Sequence, residues 1–307
     1  MGKKIKFIVN PIAGRGAGVL ALPEIDRLAN GLAMEYEIVS TEHPGHAIDL
    51  AKQAAMADMD VVVAVGGDGT SNEVLNGLMQ AWTQGYKSTY MAILAIGRGN
   101  DFAYAFGIPP GIQAGFSILQ RRIPRWIDVG NIEGGDYPQG RYFGNGVGIG
   151  FDAVVGFEAT KLTHLHGFLN YIVAALKTIF LYFNAPTIQI EYDGETIIQS
   201  SLMVSIMNGR RMGGGFMMAP DAQVDDGQLD ICIAGQLSRF GILTMIPRFM
   251  KGTQASQPQI KIFRAKKVHL TAIEGSLPAH ADGETICIAG HELIVENIKQ
   301  PIQILHG

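Results

Sequence analysis

The sequence predicts an α/β protein of two domains: an N-terminal α/β domain on a parallel sheet, then a C-terminal antiparallel β-sandwich with inserted helices. Three observations predict this. Strand and helix patterns alternate over residues 1–127, three of those strands run into glycine-rich loops, and beyond about Arg125 the texture changes. From there, short strand-like runs are separated by Asp-Gly and glycine-rich turns. The first pattern means parallel strands covered by helices, and the second means antiparallel pairing.

In the first domain, the apolar run Lys4–Val9 reads as a strand. The glycine-rich loop Asn10–Gly18 follows, then an amphipathic helix from about Val19 to Met34. Tyr36–Ser40 is a second strand and His46–Met56 a helix. Val61–Val65 is rich in β-branched residues, as a strand buried on both faces should be. It enters the turn Gly66-Gly67-Asp68-Gly69, and the helix Asn72–Met79 comes next. Thr70 and Glu73, three apart, read as a capping box at the head of that helix. Met91–Ile96 runs through Gly97-Arg98-Gly99 into a short helix that Gly107 and Pro109 stop. The carboxyl ends of parallel strands lie on one edge of an open sheet, so the three loops are expected to line one crevice.

The second domain covers residues 128–297. Ile188, Ile190 and Tyr192 alternate with polar residues before Asp193-Gly194, a hairpin dipeptide. Leu202–Met207, Leu229–Ala234, Lys261–Phe263, Val268–Ala272, Thr285–Ala289 and Leu293–Glu296 are further strand candidates. Helical segments interrupt them at about Asp152–Phe183 and Ser238–Phe249. For residues 298–307 a return to the first domain is left open.

A hydrophobic content of 47% and a charged content of 17% over 307 residues describe a globular chain with a real core. With 24 basic against 28 acidic side chains and a formal net charge of −4, nothing recommends nucleic acid as a partner. Cys232 and Cys287 lie in apolar strand-like runs, as buried thiols of a reducing compartment do. The basic start MGKKIKFIVNP reaches Pro11 too early for a signal peptide and has no hydroxyl residue at position 6 for myristoylation. Gly167–Phe183 is strongly apolar but broken by Asn170 and Lys177, which share one side of a helix. No transmembrane segment is expected.

The stretch DVVVAVGGDGTSNEVLN, residues 60–76, carries the most chemistry. A strand, a loop without side-chain bulk and a helix N-terminus together suit a phosphate anion. Asp68 stands where it could reach a metal ion on that phosphate. The Walker pattern G-x-x-x-x-G-K-[ST] is absent, and Gly144–Gly150 (GNGVGIG) has the wrong spacing for a dinucleotide fingerprint. Asn10-Pro11-Ile12-Ala13-Gly14-Arg15-Gly16 permits close backbone approach to a ligand, with a plain turn as the alternative. Gly97-Arg98-Gly99-Asn100-Asp101 adds a guanidinium suited to phosphate oxygens and two capping residues. Three such loops on one edge point to a nucleotide-dependent kinase.

In this order and spacing, NPIAGRG, GGDGTSNEVLNG and GRGNDFA resemble the diacylglycerol kinase catalytic-domain family, particularly its soluble bacterial lipid kinases. The resemblance continues through YFGNGVGIGFDA (142–153), NGRRMGGGFMMAPDAQVDDGQLDI (208–231) and ADGE (281–284). It implies an α/β nucleotide-binding half and a β-sandwich half with the active site between them. It further implies that Gly66, Gly67, Asp68, Gly69, Thr70, Ser71 and Asn72 hold the phosphates of ATP, and that Asp68 engages the catalytic Mg²⁺. Asn10, Pro11, Ile12, Ala13, Gly14 and Thr41 would complete the nucleotide site, with Arg98, Asn100 and Asp101. Arg98 is a departure, since many bacterial members have a small hydroxyl residue there.

The same resemblance gives Gln223, Asp226 and Gln228 as a structural Mg²⁺ site, the alternative being a loop without metal. It gives Glu284 as the general base that takes a proton from a lipid hydroxyl attacking the γ-phosphoryl group. Asp193-Gly194-Glu195 repeats the Asp282-Gly283-Glu284 tripeptide, so Glu195 is the alternative. Asp152 would orient the acceptor head group, or else cap a helix. Met203, Met207, Met212, Met217 and Met218 read as core or as a pliable lipid groove. The helix at Gly167–Phe183 reads as buried or as touching a bilayer. His164 and His166 face apart, so no zinc site is expected.

The resulting reading is an ATP- and Mg²⁺-dependent lipid kinase, with diacylglycerol as the leading acceptor. An NAD kinase or a phosphofructokinase-like sugar kinase shares the GGDG turn and is the nearest alternative. A catalytically silent nucleotide-binding regulator is another. The expected partner is a lipid substrate at the membrane surface, and a homodimer is left open. The expected location is the cytoplasm, with peripheral contact at the inner face of the membrane.

Overall fold

The computed structural model describes residues 4–31, 34–162, 167–181 and 185–307. His164, His166 and the end of the expected helix at Phe183 lie outside the described residues. The chain divides into two compact units, Met1–Val129 with Lys299–Gly307, and Gly130–Ile298. It is a mixed α/β fold with a parallel N-terminal region and an antiparallel C-terminal one.

Unit 1 runs β1 (Lys4–Val9), α1 (Ala13–Gly31), β2 (Glu35–Ser40), α2 (His46–Met56), β3 (Val61–Gly66), α3 (Asp68–Thr83), β4 (Tyr90–Ala95), α4 (Asp101–Ala105) and α5 (Ile112–Arg121), and then enters β5 (Ile123–Gly134). Strand order is β2-β1-β3-β4, all parallel, with Ile5 opposite both Tyr36 and Val61, and Val61 opposite Tyr90. Residues 299–307 lie in this unit, where Ile304 pairs in parallel with Met91. β3 is buried along its whole length, which is why it is almost pure valine. Phe7 stacks on Phe116 at 5.7 Å and fixes α5 against β1.

Local expectations in unit 1 need three corrections. Helix α3 begins at Asp68 instead of Asn72, so the turn shrinks to Gly67 alone. Thr70 is therefore inside the first helical turn and forms no capping box. The Glu73 carboxylate accepts from the Gly45 N–H at 2.8 Å and the Ala47 N–H at 3.2 Å, capping α2 instead of its own helix. Gly14, Arg15 and Gly16 are left-handed, and the regular part of α1 starts beyond them and ends at Gly31.

Unit 2 continues from β5 with β6 (Tyr137–Phe143), β7 (Gly146–Gly150), α6 (Phe151–Lys161), α7 (Gly167–Leu181), β8 (Thr187–Tyr192), β9 (Glu195–Met207), β10 (Leu229–Gly235) and α8 (Arg239–Lys251). A 3₁₀ turn (Gln254–Ser256), β11 (Ile260–Ala265), β12 (Lys267–Glu274), β13 (Leu277–Ala281), β14 (Glu284–Gly290) and β15 (Glu292–His306) complete the chain. β9 serves two antiparallel arrays. Its first half pairs with β8, which leads on to β12 and β15; its second half pairs with β7 and β10. One core lies among these strands, around Phe143, Val204, Ile206, Ile231 and Leu270. A second lies under α6, α7 and α8 and contains Met203, Met207, Met212 and Met218, so these methionines are core.

The expected helical segment at 152–183 contains two helices, α6 and α7. Asn170 and Lys177 share a side because both grip α6. Asn170 Nδ2 donates to the Ala159 carbonyl at 2.9 Å, and Lys177 Nζ pairs with Glu158 at 2.5 Å. Among the described residues, no helix is long and apolar enough to cross a membrane.

Candidate active site

The three glycine-rich loops of unit 1 are joined at the carboxyl edge of its sheet. The Asn10 N–H donates to the Val65 carbonyl at 3.0 Å, and Asn10 Nδ2 donates to Thr70 Oγ1 at 3.1 Å. Asn10 Oδ1 accepts from the Ile12 N–H at 3.1 Å, turning the chain through Pro11 and Ile12 toward Ala13 and Gly14. From β4, the N–H groups of Ile96 and Gly97 both reach the Gly66 carbonyl, at 2.9 and 3.1 Å. Gly67 and Gly97 approach so closely that a Cβ on Gly97 would lie 2.4 Å from the Gly67 Cα. The Thr41 N–H donates to the Val9 carbonyl at 2.8 Å, which brings Thr41 to the same edge.

Helix α3 points its N-terminus into this cluster. Its first-turn N–H groups, at Asp68, Gly69 and Thr70, have no intrahelical acceptors, and the dipole there favours an anion. Ser71 and Asn72 are buried within the turn. Asp68 Oδ1 accepts from the Phe102 N–H at 2.8 Å and so caps α4. The local expectation that Asn100 caps this helix is corrected. Its backbone is left-handed at φ 53°, and its Nδ2 turns back to the Gly97 carbonyl at 3.1 Å. A Cβ on Gly99 would meet Asp68 Oδ2 at 2.9 Å and Asp101 Oδ2 at 3.7 Å. Two carboxylate oxygens thus border one space beside a helix N-terminus. That donor set fits a hard divalent cation such as Mg²⁺. Arg98 is exposed on the same loop. Arg15, which sequence reasoning passed over, stands in the first loop at φ 65°, an uncommon backbone for a residue with a side chain.

Unit 2 separates the two Asp-Gly-Glu tripeptides. Both are two-residue hairpins with positive φ at Asp and Gly, 45° and 89° at 193–194 and 48° and 88° at 282–283. Asp193 and Glu195 are exposed. Asp282 is buried, and its carboxylate accepts from the backbone N–H groups of Gly144 at 2.8 Å, Asn145 at 3.0 Å and Gly146 at 2.9 Å. The Asp282 N–H returns a bond to the Gly146 carbonyl at 3.0 Å. Glu284, half-buried and opposite Ala281, therefore leaves a turn anchored at four points.

Gly146, Gly148 and Gly150 of GNGVGIG lie in β7, and the Gly148 face is closely covered. A Cβ there would lie 2.5 Å from both Asp152 Oδ2 and His280 Nε2. Asp152 sits in the first turn of α6 but makes no cap bond. Its carboxylate accepts from Ser205 Oγ at 3.3 Å and lies 4.0 Å from His280 Nε2. His280 Nδ1 is buried without a hydrogen-bond partner among the described residues. Burial, with the Asp152 charge second, pushes the nearby Cys232 thiol up to about 12, so it stays protonated. Ser205 and His280 had no local signal, because only β-pairing brings them to Asp152.

Residues 4–132 match the diacylglycerol kinase catalytic domain, and residues 145–301 match the YegS C-terminal NAD kinase beta sandwich-like domain. A diacylglycerol kinase of Mycobacterium tuberculosis (strain CDC 1551 / Oshkosh) is 30% identical, covering 99% of this chain and 96% of the relative. The chain belongs to the diacylglycerol kinase family. It is a kinase whose acceptor is an alcohol group. Two solved structures share its fold. A diacylglycerol kinase from Bacillus anthracis str. Sterne gives a TM-score of 0.75 at 22% identity, covering 99% of this chain and 97% of that one. Yeast NADH kinase complexed with NADH gives 0.50 at 10% identity, covering 100% and 84%.

In the 223–228 loop of this kinase, where a structural Mg²⁺ is expected from Gln223, Asp226 and Gln228, the carboxylate has protein partners. Asp226 Oδ1 accepts from the Gln228 N–H at 3.0 Å, and Asp226 Oδ2 lies 3.6 Å from Arg264. The Gln228 carbonyl accepts from Asn297 Nδ2 at 3.2 Å, and Gln223 is exposed. Arg264 also bonds Asp230 at 3.0 Å and the Asp221 carbonyl at 3.3 Å. The Arg264 guanidinium thus stands between Asp226 and Asp230.

Proposed function

We propose that this kinase transfers the γ-phosphoryl group of ATP to the free hydroxyl of diacylglycerol, giving phosphatidic acid and ADP. The observation that carries the reading is the joining of three glycine-rich loops around the α3 N-terminus, with Asp68 and Asp101 bordering one space. The phosphates are held by first-turn N–H groups of α3, and Arg98 and Arg15 offset their charge. Asp68 and Asp101 would hold Mg²⁺, which would supply charge neutralisation at the phosphates.

Glu284 takes the proton as the acceptor oxygen bonds to the γ-phosphorus and the bond to the β–γ bridging oxygen breaks. Asp282 fixes the turn from which Glu284 projects, so the base loses little orientational freedom at the moment of transfer. Asp152, held by Ser205, receives a second polar group of the acceptor. The enzyme would work in the cytoplasm on lipid presented at the inner face of the membrane.

The NAD kinase alternative shares the fold but not the family. Radiolabelled phosphate transfer from ATP, offered diacylglycerol, NAD and fructose 6-phosphate in parallel, tests the choice. Label is expected in phosphatidic acid and lost when Mg²⁺ is withheld. Label confined to a water-soluble acceptor would overturn the reading.

A further inference from the structure

Two helices of unit 2 are apolar on faces the core does not use. The inner face of α7 buries Ala174, Ala175 and Ile179, and that of α8 buries Ile242, Met245 and Phe249. These contacts already anchor both helices. On the outer side of α7, Leu169, Leu176 and Phe180 follow one another at spacings of one helical face, and Phe180 is 71% exposed. On α8, Phe240, Leu243 and Met250 do the same, and Phe240 is 76% exposed. The Arg239 guanidinium lies 5.5 Å from the centre of the Phe180 ring, so the two stripes adjoin. An exposed apolar surface of this extent needs an occupant.

Charge identifies that occupant. Neither GFLNYIVAALKTIFL nor RFGILTMIPRFMK contains an aspartate or glutamate, although the chain as a whole carries −4. The helices carry Lys177, Arg239, Arg248 and Lys251 instead. Glu158, the carboxylate against α7, is matched by both Lys161 and Lys177. A second copy of the same face would set cations against cations. Anionic head groups pair with them, while phenylalanine and leucine tips enter the acyl boundary.

We propose that the outer face of α7 and α8 docks on an anionic lipid bilayer. This deepens the lipid-kinase reading by giving the surface at which the acceptor's membrane is met, and it rests on that reading for its biological sense. The test is co-sedimentation with vesicles of phosphatidylcholine plus phosphatidylglycerol, against vesicles of phosphatidylcholine alone. The wild-type protein should bind the anionic vesicles, and added salt should weaken that binding. Phe180→Ser with Phe240→Ser should weaken it by about tenfold or more. Arg239→Glu with Lys251→Glu should weaken it at low salt and matter little at high salt.

All four side chains are exposed, so thermal melts should match the wild type. Phosphorylation of detergent-dispersed dioctanoylglycerol should be unchanged in both double variants, and only the vesicle-embedded acceptor should be used more slowly. Equal vesicle binding by wild type and variants would overturn the proposal. So would indifference to anionic lipid, or a change of sedimentation velocity from dimer to monomer with vesicle binding intact. Vesicle binding as described, with no transfer to any diacylglycerol, would sink the function and leave the docking surface standing.

Discussion

Asp68 accepts a hydrogen bond from the Phe102 backbone at 2.8 Å, so one carboxylate holds the start of α4 while its other oxygen faces the space over Gly99. The two roles can be separated. Asp68→Asn keeps an acceptor for Phe102 but loses the charge, and should melt within a degree or two of wild type while losing phosphoryl transfer. Asp68→Ala loses the cap as well and should cost about 1 kcal/mol of stability. Paired thermal melts and turnover assays check both outcomes.

The exposed and half-buried glutamates at the two matched turns should behave differently. Glu284→Gln should lower turnover by roughly 10²-fold or more, the scale of a lost general base, with ATP affinity retained. Glu195→Gln should leave turnover at the wild-type level. Full activity in the Glu284 variant would send the search for the base elsewhere.

Asp282→Ala strands three buried N–H groups and should cost about 3 kcal/mol or more in urea unfolding. At the matching exposed position, Asp193→Ala should stay within about 0.5 kcal/mol. Equal costs at the two turns would mean that the Asp282 bonds contribute nothing net.

Glu158 ties α7 to α6, and the Lys161 hydrogen bond first, then that from Lys177, hold its carboxyl below the ordinary 4.5. A folded value below the unfolded one gives a contribution that is complete above 4.5 and disappears as the pH falls through the folded value. Glu158→Gln should therefore cost about 1 kcal/mol near neutrality, since both lysines are solvated, and less in acid. Urea unfolding of both proteins across the acid range measures this; a gap that widens toward low pH would reverse the sign.

Chelating divalent cations should leave the melting temperature of the nucleotide-free protein unchanged, because Arg264 already supplies the charge beside Asp226 and Asp230. Arg264→Met should lower stability by about 1–3 kcal/mol, leaving the buried Asp230 without its partner. A chelator-induced drop in wild-type melting temperature would place a metal in this loop.

Much of unit 1 was legible because its strands are buried on both faces and advertise it, as β3 does with four valines in six residues. The loops were legible because close backbone approach demands glycine at Gly67 and Gly97. Less was legible in unit 2. β7 is a strand of alternating glycines and was not among the strand candidates, and LPAHA, now β13, has no β-branched residue. Capping was read locally and went wrong twice. Glu73 caps α2 and Asp68 caps α4, both across gaps that spacing along one helix does not reveal.

The sequence by itself determined the two-part fold class, the three phosphate-suited loops and the matched Asp-Gly turns, all through periodicity and backbone conformations that neighbouring residues impose. Tertiary structure alone decided which turn is anchored, which carboxylates share the space over Gly99 and which cation answers Asp226. Those outcomes depend on hydrogen bonds and charges between residues far apart in the chain, and local preference carries no information about such partners.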